Sequence, residues 1–490
     1  MVTTTPGPST GPDTGFVPAA TGRRRSIALF VVLLAMFMDL LDNTIINVAL
    51  PSIHKELGGS YSAVQWIAAG YTLAFALALI TGSRLGDIFG RRRLFLIGTA
   101  GFTVASALCG ASRSGSELIS ARVLQGVTAA LMVPQVLAVI QTMYAPRDRG
   151  KAVGMFGALA GMATVGGPIL GALLTSGDIA GLGWRSVFLV NVPVGILALL
   201  LGARYLPESK APRAGRLDLT GVALSALALL LLVFPLIKGQ DLGWPAWTFV
   251  SMAGSLVVLA AFVAQQRRRT RSTGSPLVEL GVFRHRSFAG GLLVNLLFMG
   301  GAIGFFLVLT VFLQTGLGFG VLRSGLTGIP WGLLVPVFAG VGAGVLAPRL
   351  GRPVLQLGLV LDIIAMLALM STVGRGDVTS VALIPALAIG GAGMGLVVAP
   401  LLDFTLADVP VADAGSASGL YNTVQQIGSA LGIAGLGAYF LGRTGHAVPG
   451  PAAYGPAFQH TLWLPVGAFA AALAATFLMP RHAAHHDDLT

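Results

Sequence analysis

Charged side chains are scarce in this sequence: Asp, Glu, Lys and Arg make up only 10% of its 490 residues. Soluble domains carry about 25% charged residues, so this composition excludes an ordinary water-soluble protein. Hydrophobic residues make up 54%, and long apolar runs recur to the C-terminal end. The sequence therefore predicts one continuous body embedded in a membrane.

Cysteine is almost absent as well, because Cys109 is the only one. An intramolecular disulfide is excluded, and the redox compartment stays undetermined. No nucleophile, metal cluster or soluble catalytic domain points to an enzyme, and we expect no cofactor and no metal. The remaining candidates for metal ligands lie in the C-terminal tail, where a solvated segment is the commoner explanation: His482, His485, His486, Asp487 and Asp488.

The net charge of +12 is unusual and would also fit a nucleic-acid-binding protein. However, the basic residues lie in short loops between apolar runs. If the N-terminus is inside, 23 of the 31 Lys and Arg residues fall in cytoplasmic segments, seven in outer loops, and Arg122 inside a helix. This asymmetry predicts that both termini are cytoplasmic, in a multi-pass protein of the inner membrane with no nucleic-acid partner. Arg23 to Arg25 before an apolar run could imitate a signal peptide, but that run is too long.

Apolar stretches of about 20 residues, the length needed to span a bilayer, occur 14 times. The predicted fold is an all-α membrane protein whose 14 helices lie near residues 27–50, 62–82, 94–112, 117–143, 151–175, 186–205, 217–237, 246–264, 288–313, 325–346, 354–372, 378–401, 415–440 and 460–479.

The two ends of the chain also resemble each other. RLGDIFGRRRLFLIG, after the second helix, has a weak echo in PRLGRPVLQLG after the tenth. Two six-helix pseudo-repeat halves with two inserted central helices would explain this, although Gly-rich basic loops could also match by chance. The expected organisation is a disordered tail, a first half, two inserted helices, a second half and a short tail, at residues 1–25, 26–206, 207–270, 271–480 and 481–490.

Polar residues inside apolar spans are costly and are therefore functional candidates. The first helix carries Asp39, Asp42, Asn43 and Asn47 on one face. This face must line a cavity or meet polar partners, either for proton and substrate binding or as a structural network.

The fourth helix carries Arg122, with Gln125 on the same face. A guanidinium stays charged in proteins, so it must be paired or hydrated. We expect it to stabilise a polar network beside the first helix, where it could tune the proton affinity of Asp39 or Asp42. A role in helix packing alone is the alternative.

The second half contains fewer candidates. Asp362 lies mid-span and could be a substrate or proton site or a structural pair, whereas Asp403 is expected at the membrane interface. Three amides could bind substrate or hold helices together: Asn295, Gln425 and Gln426.

Four stretches, in order, resemble the signatures of the major facilitator superfamily and, more narrowly, its 14-helix drug:proton antiporter branch. They are LDNTIINVALP (41–51), RLGDIFGRRR (84–93), LISARVLQGVTAALMVP (118–134) and ATVGGPILGA (163–172). The loop stretch departs from the pattern at Ser83, where Gly is usual, and at Ile88, where a basic residue is common.

The resemblance implies a role for each matching residue. Asp42 and Arg122 would be the proton-coupling acid and arginine, while Asp39 lies outside the motif. The cytoplasmic gate contacts would be Asp87, Arg91 and Arg92, and the exporter hinge would be Gly167 and Pro168.

The implied function is a proton-coupled efflux antiporter that exports a small organic compound by alternating access. We expect it to function as a monomer, because one chain supplies both halves. The alternatives are export of an endogenous metabolite or lipid, a proton-coupled uptake symporter, which the Gly-Pro motif disfavours, and a membrane sensor or enzyme.

Overall fold

The structure, a computed structural model, describes the chain from residue 22 to 481 with several gaps. The described residues are 22–58, 60–143, 159, 163, 166–178, 181–210, 217–272, 277–278, 280–375, 378–409, 414–444 and 450–481. Residues 1–21 of the predicted N-terminal tail and the His-rich C-terminal segment lie outside these ranges, whereas residues 22–25, also predicted to be disordered, are helical.

Thirteen helices of the described chain are long and apolar enough to span a membrane, and a shorter apolar helix covers Gly166–Ser176. In chain order they are α1 (Gly22–Leu57), α2 (Tyr61–Phe89), α3 (Arg91–Ala111), α4 (Gly115–Met143), α5 (Gly166–Ser176), α6 (Gly183–Tyr205), α7 (Leu219–Asp241), α8 (Ala246–Ser272), α9 (Arg286–Val311), α10 (Val321–Leu350), α11 (Pro353–Gly374), α12 (Ser380–Leu406), α13 (Ala414–Thr444) and α14 (Pro451–Ala475). The prediction of an all-α membrane protein is confirmed. Most of the predicted fifth helix before residue 166 lies outside the described residues.

Several of these helices are interrupted, which a membrane protein tolerates where neighbouring helices satisfy the freed backbone groups. A turn at Val190 divides α6, so that its last segment begins at Asn191. The helix α10 restarts at Ile329 with a proline in its first turn and contains a π-helical turn at Gly342–Leu346. The helices α6 and α10 are therefore less regular than their continuous apolar runs suggest.

Helix packing divides the spans into two groups, which we call the first group (α1–α6) and the second group (α9–α14). In the first group α4 packs on α2 and α3, while α6 packs on α1 and α3. In the second group α9 packs on α13 and α14, and α12 packs on α10 and α11. The pair α7–α8 stands beside both groups, because α7 contacts α2 and α13.

Small residues permit the close crossings within the groups. A Cβ atom at Gly126 would lie 2.4 Å from the backbone oxygen of Tyr71, and one at Gly432 would lie 2.0 Å from that of Gly300. Helices α2 and α4, and likewise α9 and α13, therefore touch through backbone.

The two groups meet through α1 with α9 and α2 with α13. The side-chain amide of Gln314 donates to the Val48 oxygen at 2.9 Å. A Cβ atom at Gly437 would lie 3.0 Å from the Gln65 side chain. These contacts join the groups near the end of the molecule at which α1 ends and α2 begins.

Candidate functional site

The polar face of α1 lies in the interior of the first group. Asp42 is 0% exposed and Asp39 is 4% exposed, so both carboxyl groups are removed from bulk water. The amides of Asn43 and Asn47 remain partly exposed and donate to the backbone oxygens one turn earlier, those of Asp39 and Asn43. The predicted face therefore separates into two buried acids and two accessible amides.

Asp42 is surrounded by donors from two other helices. Its Oδ2 accepts a hydrogen bond from the Arg122 guanidinium in an ion pair. Its Oδ1 accepts from the Gln125 amide at 2.8 Å and from the Asn191 amide at 3.0 Å. A cation and two amides thus compensate one carboxylate, as a buried charge requires.

The Arg122 side chain contacts several hydrogen-bond acceptors and an aromatic ring, although it is only 1% exposed. Its Nε donates to the Ile67 backbone oxygen at 3.1 Å, and its Nη1 also donates to Gln125 Oε1 at 2.7 Å. The guanidinium carbon lies 4.3 Å from the centre of the Tyr71 ring, in cation–π geometry. The structure thus places Arg122 and Gln125 beside the first helix, where sequence reasoning expected a network.

Asp39 has a much poorer environment. The described residues supply one side-chain donor, the Tyr71 hydroxyl, which donates to Asp39 Oδ1. The ring of Tyr71 also faces Arg122, the ion-pair partner of Asp42. Tyr71 therefore connects the surroundings of the two acids, but it brings no charge to Asp39. Asp39 and Asp42 are therefore neighbours with very different compensation of their negative charge.

Three further residues of this network were missed by the sequence reasoning. Tyr71 and Asn191 contact the two acids directly, and Ser106 accepts a hydrogen bond from the Gln125 amide at 2.9 Å. The available signal was a lone polar side chain within an apolar span, but many such residues do not reach a site.

The Gly167-Pro168 segment of α5 packs directly on α1 beside these acids. A Cβ atom at Gly167 would lie 1.9 Å from Thr44 Oγ1, so no other residue fits without movement. From the second group, Gly325 approaches the Pro168 backbone oxygen, with its hypothetical Cβ 2.9 Å away. The Gly-Pro segment therefore lies where α1, α5 and α10 meet.

The predicted gate residues lie at the turn between α2 and α3. Asp87 and Arg91 form an ion pair at 3.0 Å, one helical turn apart. The Arg92 guanidinium donates to the Ala203 backbone oxygen, and its backbone N–H donates to Glu208 at 3.2 Å. Among the described residues these contacts stay within the first group and the segment after α6.

The candidates of the second group are dispersed. The Asn295 amide donates to the Tyr421 backbone oxygen at 3.0 Å and is fully buried. Gln425 contacts the Met299 sulfur at 3.7 Å, and Gln426 is half-buried. Asp403 is exposed near the end of α12.

Asp362 is the exception to the rule that buried carboxyl groups are paired. It is 1% exposed, and neither of its oxygens has a hydrogen-bond partner among the described residues. It faces α12, where a Cβ atom at Gly393 would lie 2.8 Å from Asp362 Oδ1. The structural-pair interpretation of Asp362 therefore finds no partner in the described chain.

Comparison with known proteins identifies the family. The model of the Major Facilitator Superfamily matches residues 32–433. The chain belongs to this superfamily. Members of this superfamily are transporters and not enzymes. Relatives of the chain are named as a transporter and as an export protein.

The relatives are similar over most of their length. A probable actinorhodin transporter of Streptomyces coelicolor is 44% identical over 89% of this chain and 76% of its own length. The puromycin resistance protein pur8 of Streptomyces alboniger is 38% identical, with 88% and 86% covered. The multidrug efflux pump LfrA of Mycolicibacterium smegmatis is 33% identical, with 86% and 82% covered.

Solved structures support the fold. A bacterial homolog of the human lysosomal transporter Spinster superimposes with a TM-score of 0.67 at 17% identity, covering 94% of this chain and 97% of that one. At this identity the likeness concerns the superfamily fold alone. Within that fold, no group of three or more His, Cys, Asp or Glu residues that could hold a metal occurs in the described part of the chain.

Proposed function

We propose that this superfamily member is a proton-coupled efflux antiporter that exports a small organic compound. Its relatives include proteins named for actinorhodin, puromycin, tetracenomycin C and cephamycin, which favours an antibiotic or a similar natural product as the exported class. The observation that carries the coupling mechanism is the unequal charge compensation of Asp39 and Asp42.

In this proposal the two acids divide the work. Protonation of Asp42 would leave the buried Arg122 guanidinium without its counter-ion, which costs several kcal/mol. Protonation of Asp39 breaks no ion pair, because its described side-chain donor is a phenol. Asp39 also retains 4% exposure where Asp42 has none. We therefore assign proton exchange to Asp39 and a fixed counter-ion role to Asp42.

Alternating access then requires the two groups to move against each other around the coupling site. The Gly167-Pro168 segment is a suitable pivot, since glycine permits the close approach to Thr44 and proline interrupts the helix ladder. Release of the Asp39 proton would accompany substrate binding on one side, and reprotonation would accompany release on the other.

The substrate candidates fall into two classes by accessibility. Gln125, Asn295 and Asp362 are fully buried, whereas four amides remain partly exposed and can reach a ligand: Asn43, Asn47, Gln425 and Gln426. We assign substrate contact to these four. Export of an endogenous metabolite by the same amides is the second candidate function, because two relatives are named for transport or export of a compound and not for resistance to it.

The same proposal covers orientation and assembly. Both termini are cytoplasmic, the α2–α3 turn is a cytoplasmic gate, and the protein functions as a monomer. Residues 26–206 and 271–480 are the two halves, and residues 207–270 are an insert between them. Cysteine labelling tests the orientation well, because the sole native Cys109 is buried. A cysteine introduced in place of the exposed Arg113 or Lys210 should react only from outside or only from inside, respectively. Reaction from the opposite sides would invert the topology.

The function is tested by expressing the chain in a susceptible bacterium and measuring growth against antibiotics and dyes, with and without a protonophore. Resistance that the protonophore removes is the expected result. Protein present in the membrane with no protection against any compound would move the function to metabolite export, which efflux assays on secreted metabolites would then address.

The division between the acids is tested in proteoliposomes with an imposed pH gradient. Asp39→Asn should abolish gradient-driven efflux while leaving the folded protein and its substrate affinity intact. Tyr71→Phe should retain efflux but change its pH dependence, because Asp39 loses its hydrogen-bond donor while the ring still faces Arg122. Asp403→Asn, an exposed acid, is the matched control and should behave as the native chain. Native-like coupling in Asp39→Asn would refute the assignment.

A further inference from the structure

The outer face of α8 combines an exposed apolar strip with an arginine cluster at one end. The strip includes Leu256, Ala260 and Val263, and the cluster is Arg267, Arg268 and Arg271. The spacing 256, 260, 263, 267 and 271 follows one face of a helix. The apolar strip and the arginines therefore follow one another on the same face of the helix.

The residues of this face are exposed to the surroundings of the molecule. Leu256 is 69% exposed, and the three arginines are exposed as well. Because α8 is long and apolar enough to span the membrane, its exposed apolar part faces hydrocarbon. The arginines follow at the end of the span, at the depth of lipid headgroups.

The three arginines also have no acidic partner among the described residues, whereas their neighbour Arg269 does. Arg269 pairs with Asp218 at 3.2 Å. Asp218 also accepts hydrogen bonds from Gln266 at 2.8 Å and Gln265 at 3.0 Å. The inner face of this helix end is thus neutralised and the outer face keeps its charge.

This inner cluster fixes the helix end in place. Gln266 further accepts a hydrogen bond from the Val278 backbone N–H at 3.1 Å, and Arg269 donates to the Leu217 backbone oxygen at 2.8 Å. The outer arginines consequently project from a positioned helix end, which reduces the entropy lost when they bind a ligand.

We propose that this face of α8 is a binding site for an anionic phospholipid. An acyl chain would lie along Leu256, Ala260 and Val263, and the phosphate would contact Arg267, Arg268 and Arg271. Guanidinium groups bind phosphate oxygens in paired hydrogen bonds, and anionic headgroups attract basic residues at the membrane surface. The helix that carries the site packs on α7, which contacts both helix groups through α2 and α13.

Native mass spectrometry of the purified full chain tests this, with phosphatidylglycerol and phosphatidylcholine as probes. The triple variant Arg267→Gln, Arg268→Gln, Arg271→Gln should bind phosphatidylglycerol about tenfold more weakly. The matched control Arg204→Gln, Arg284→Gln, Arg286→Gln removes the same charge from other exposed arginines and should bind as the native chain does. Equal losses in both triple variants, or no preference of the native chain for phosphatidylglycerol, would overturn the proposal in favour of diffuse attraction.

A second variant tests the apolar half without touching charge. Ala260→Trp places a bulky side chain in the middle of the apolar strip. It should weaken phosphatidylglycerol binding while all arginines remain. Glycerol phosphate, which has the headgroup chemistry without acyl chains, should not protect the protein against thermal unfolding, whereas phosphatidylglycerol should. Protection by glycerol phosphate, or native lipid binding in Ala260→Trp, would contradict a lipid site. These measurements need no transport, so their outcome is independent of the proposed export function.

Discussion

The two helix groups treat a buried carboxylic acid in opposite ways. In the first group Asp42 receives a guanidinium and two amides, whereas in the second group Asp362 receives no hydrogen bond within the described chain. The first group surrounds its acid with polar side chains from α4 and α6, whereas the acid of the second group lies against Gly393 of α12. A shared fold therefore does not impose a shared chemistry, since the side chains at the crossings decide it.

The contrast is visible at one pair of crossings. In the first group Gly101 of α3 faces Thr128 of α4, whose Cγ2 would lie 2.4 Å from an added Cβ. In the second group Asp362 of α11 faces Gly393 of α12. At the first crossing the glycine belongs to the earlier helix of the pair and at the second to the later one, so the larger and more polar partner changes sides.

The largest expected effect comes from breaking the compensated site. Asp42→Asn leaves Arg122 buried without a counter-ion and should lower stability by about 3–5 kcal/mol. The measurement is thermal unfolding in detergent, together with loss of efflux. The double variant Asp42→Asn, Arg122→Gln should recover part of the stability but not transport. No recovery in the double variant would show that packing, and not charge, dominates the site.

A smaller effect is expected from overfilling the second group. A Cβ atom at Gly390 would lie 2.0 Å from the Trp331 ring, while Gly340 faces open space. Gly390→Ala should therefore cost about 1–3 kcal/mol, measured as a lower midpoint of thermal unfolding. Gly340→Ala is the matched control and should be neutral or slightly stabilising. Equal midpoints for the two variants would mean that Trp331 moves aside freely.

Asp218 provides a titratable version of the compensated acid, outside the span that begins at Leu219. Burial alone would raise the pKa of Asp218, but hydrogen bonds from Gly221, Gln266 and Gln265 and the Arg269 guanidinium hold it below the ordinary value of 3.8. Its ionised form therefore adds stability above pH about 4, and this stability is lost as the pH falls through the lowered pKa.

Asp218→Asn should accordingly cost about 1 kcal/mol at neutral pH. The difference in unfolding midpoint between the variant and the native chain should shrink as the pH falls below about 4 and disappear only below the lowered pKa of Asp218. A difference that persists unchanged at pH 3 would assign the loss to geometry and not to charge.

The smallest effect is expected at the uncompensated acid. Asp362→Asn removes a carboxyl group that has no hydrogen-bond partner in the described chain, so stability should change by less than about 0.5 kcal/mol. The comparison with Asp42→Asn in the same unfolding assay keeps the chemistry of the substitution constant. A loss near that of Asp42→Asn would reveal a partner of Asp362 and erase the contrast between the groups.

Much of the fold was predictable because burial in lipid constrains sequence strongly. Each span needs a long apolar run to satisfy its backbone in hydrocarbon, so the order of the 14 helices could be read directly. Asp39, Asp42 and Arg122 stood out for the same reason, since a charge in such a run is costly. The breaks in α6 and α10 were not predicted, because apolarity alone does not report the hydrogen-bond register of a helix.

The sequence by itself determined the membrane architecture, the superfamily motifs and the presence of acids and an arginine within spans. Only the tertiary structure decided which of these side chains meet. It separated Asp42, which holds Arg122, from Asp39, which holds Tyr71, and it brought Asn191 from a distant helix to the same carboxylate. The physical reason is that polarity is a property of a residue, whereas compensation of a buried charge depends on which helix faces pack together.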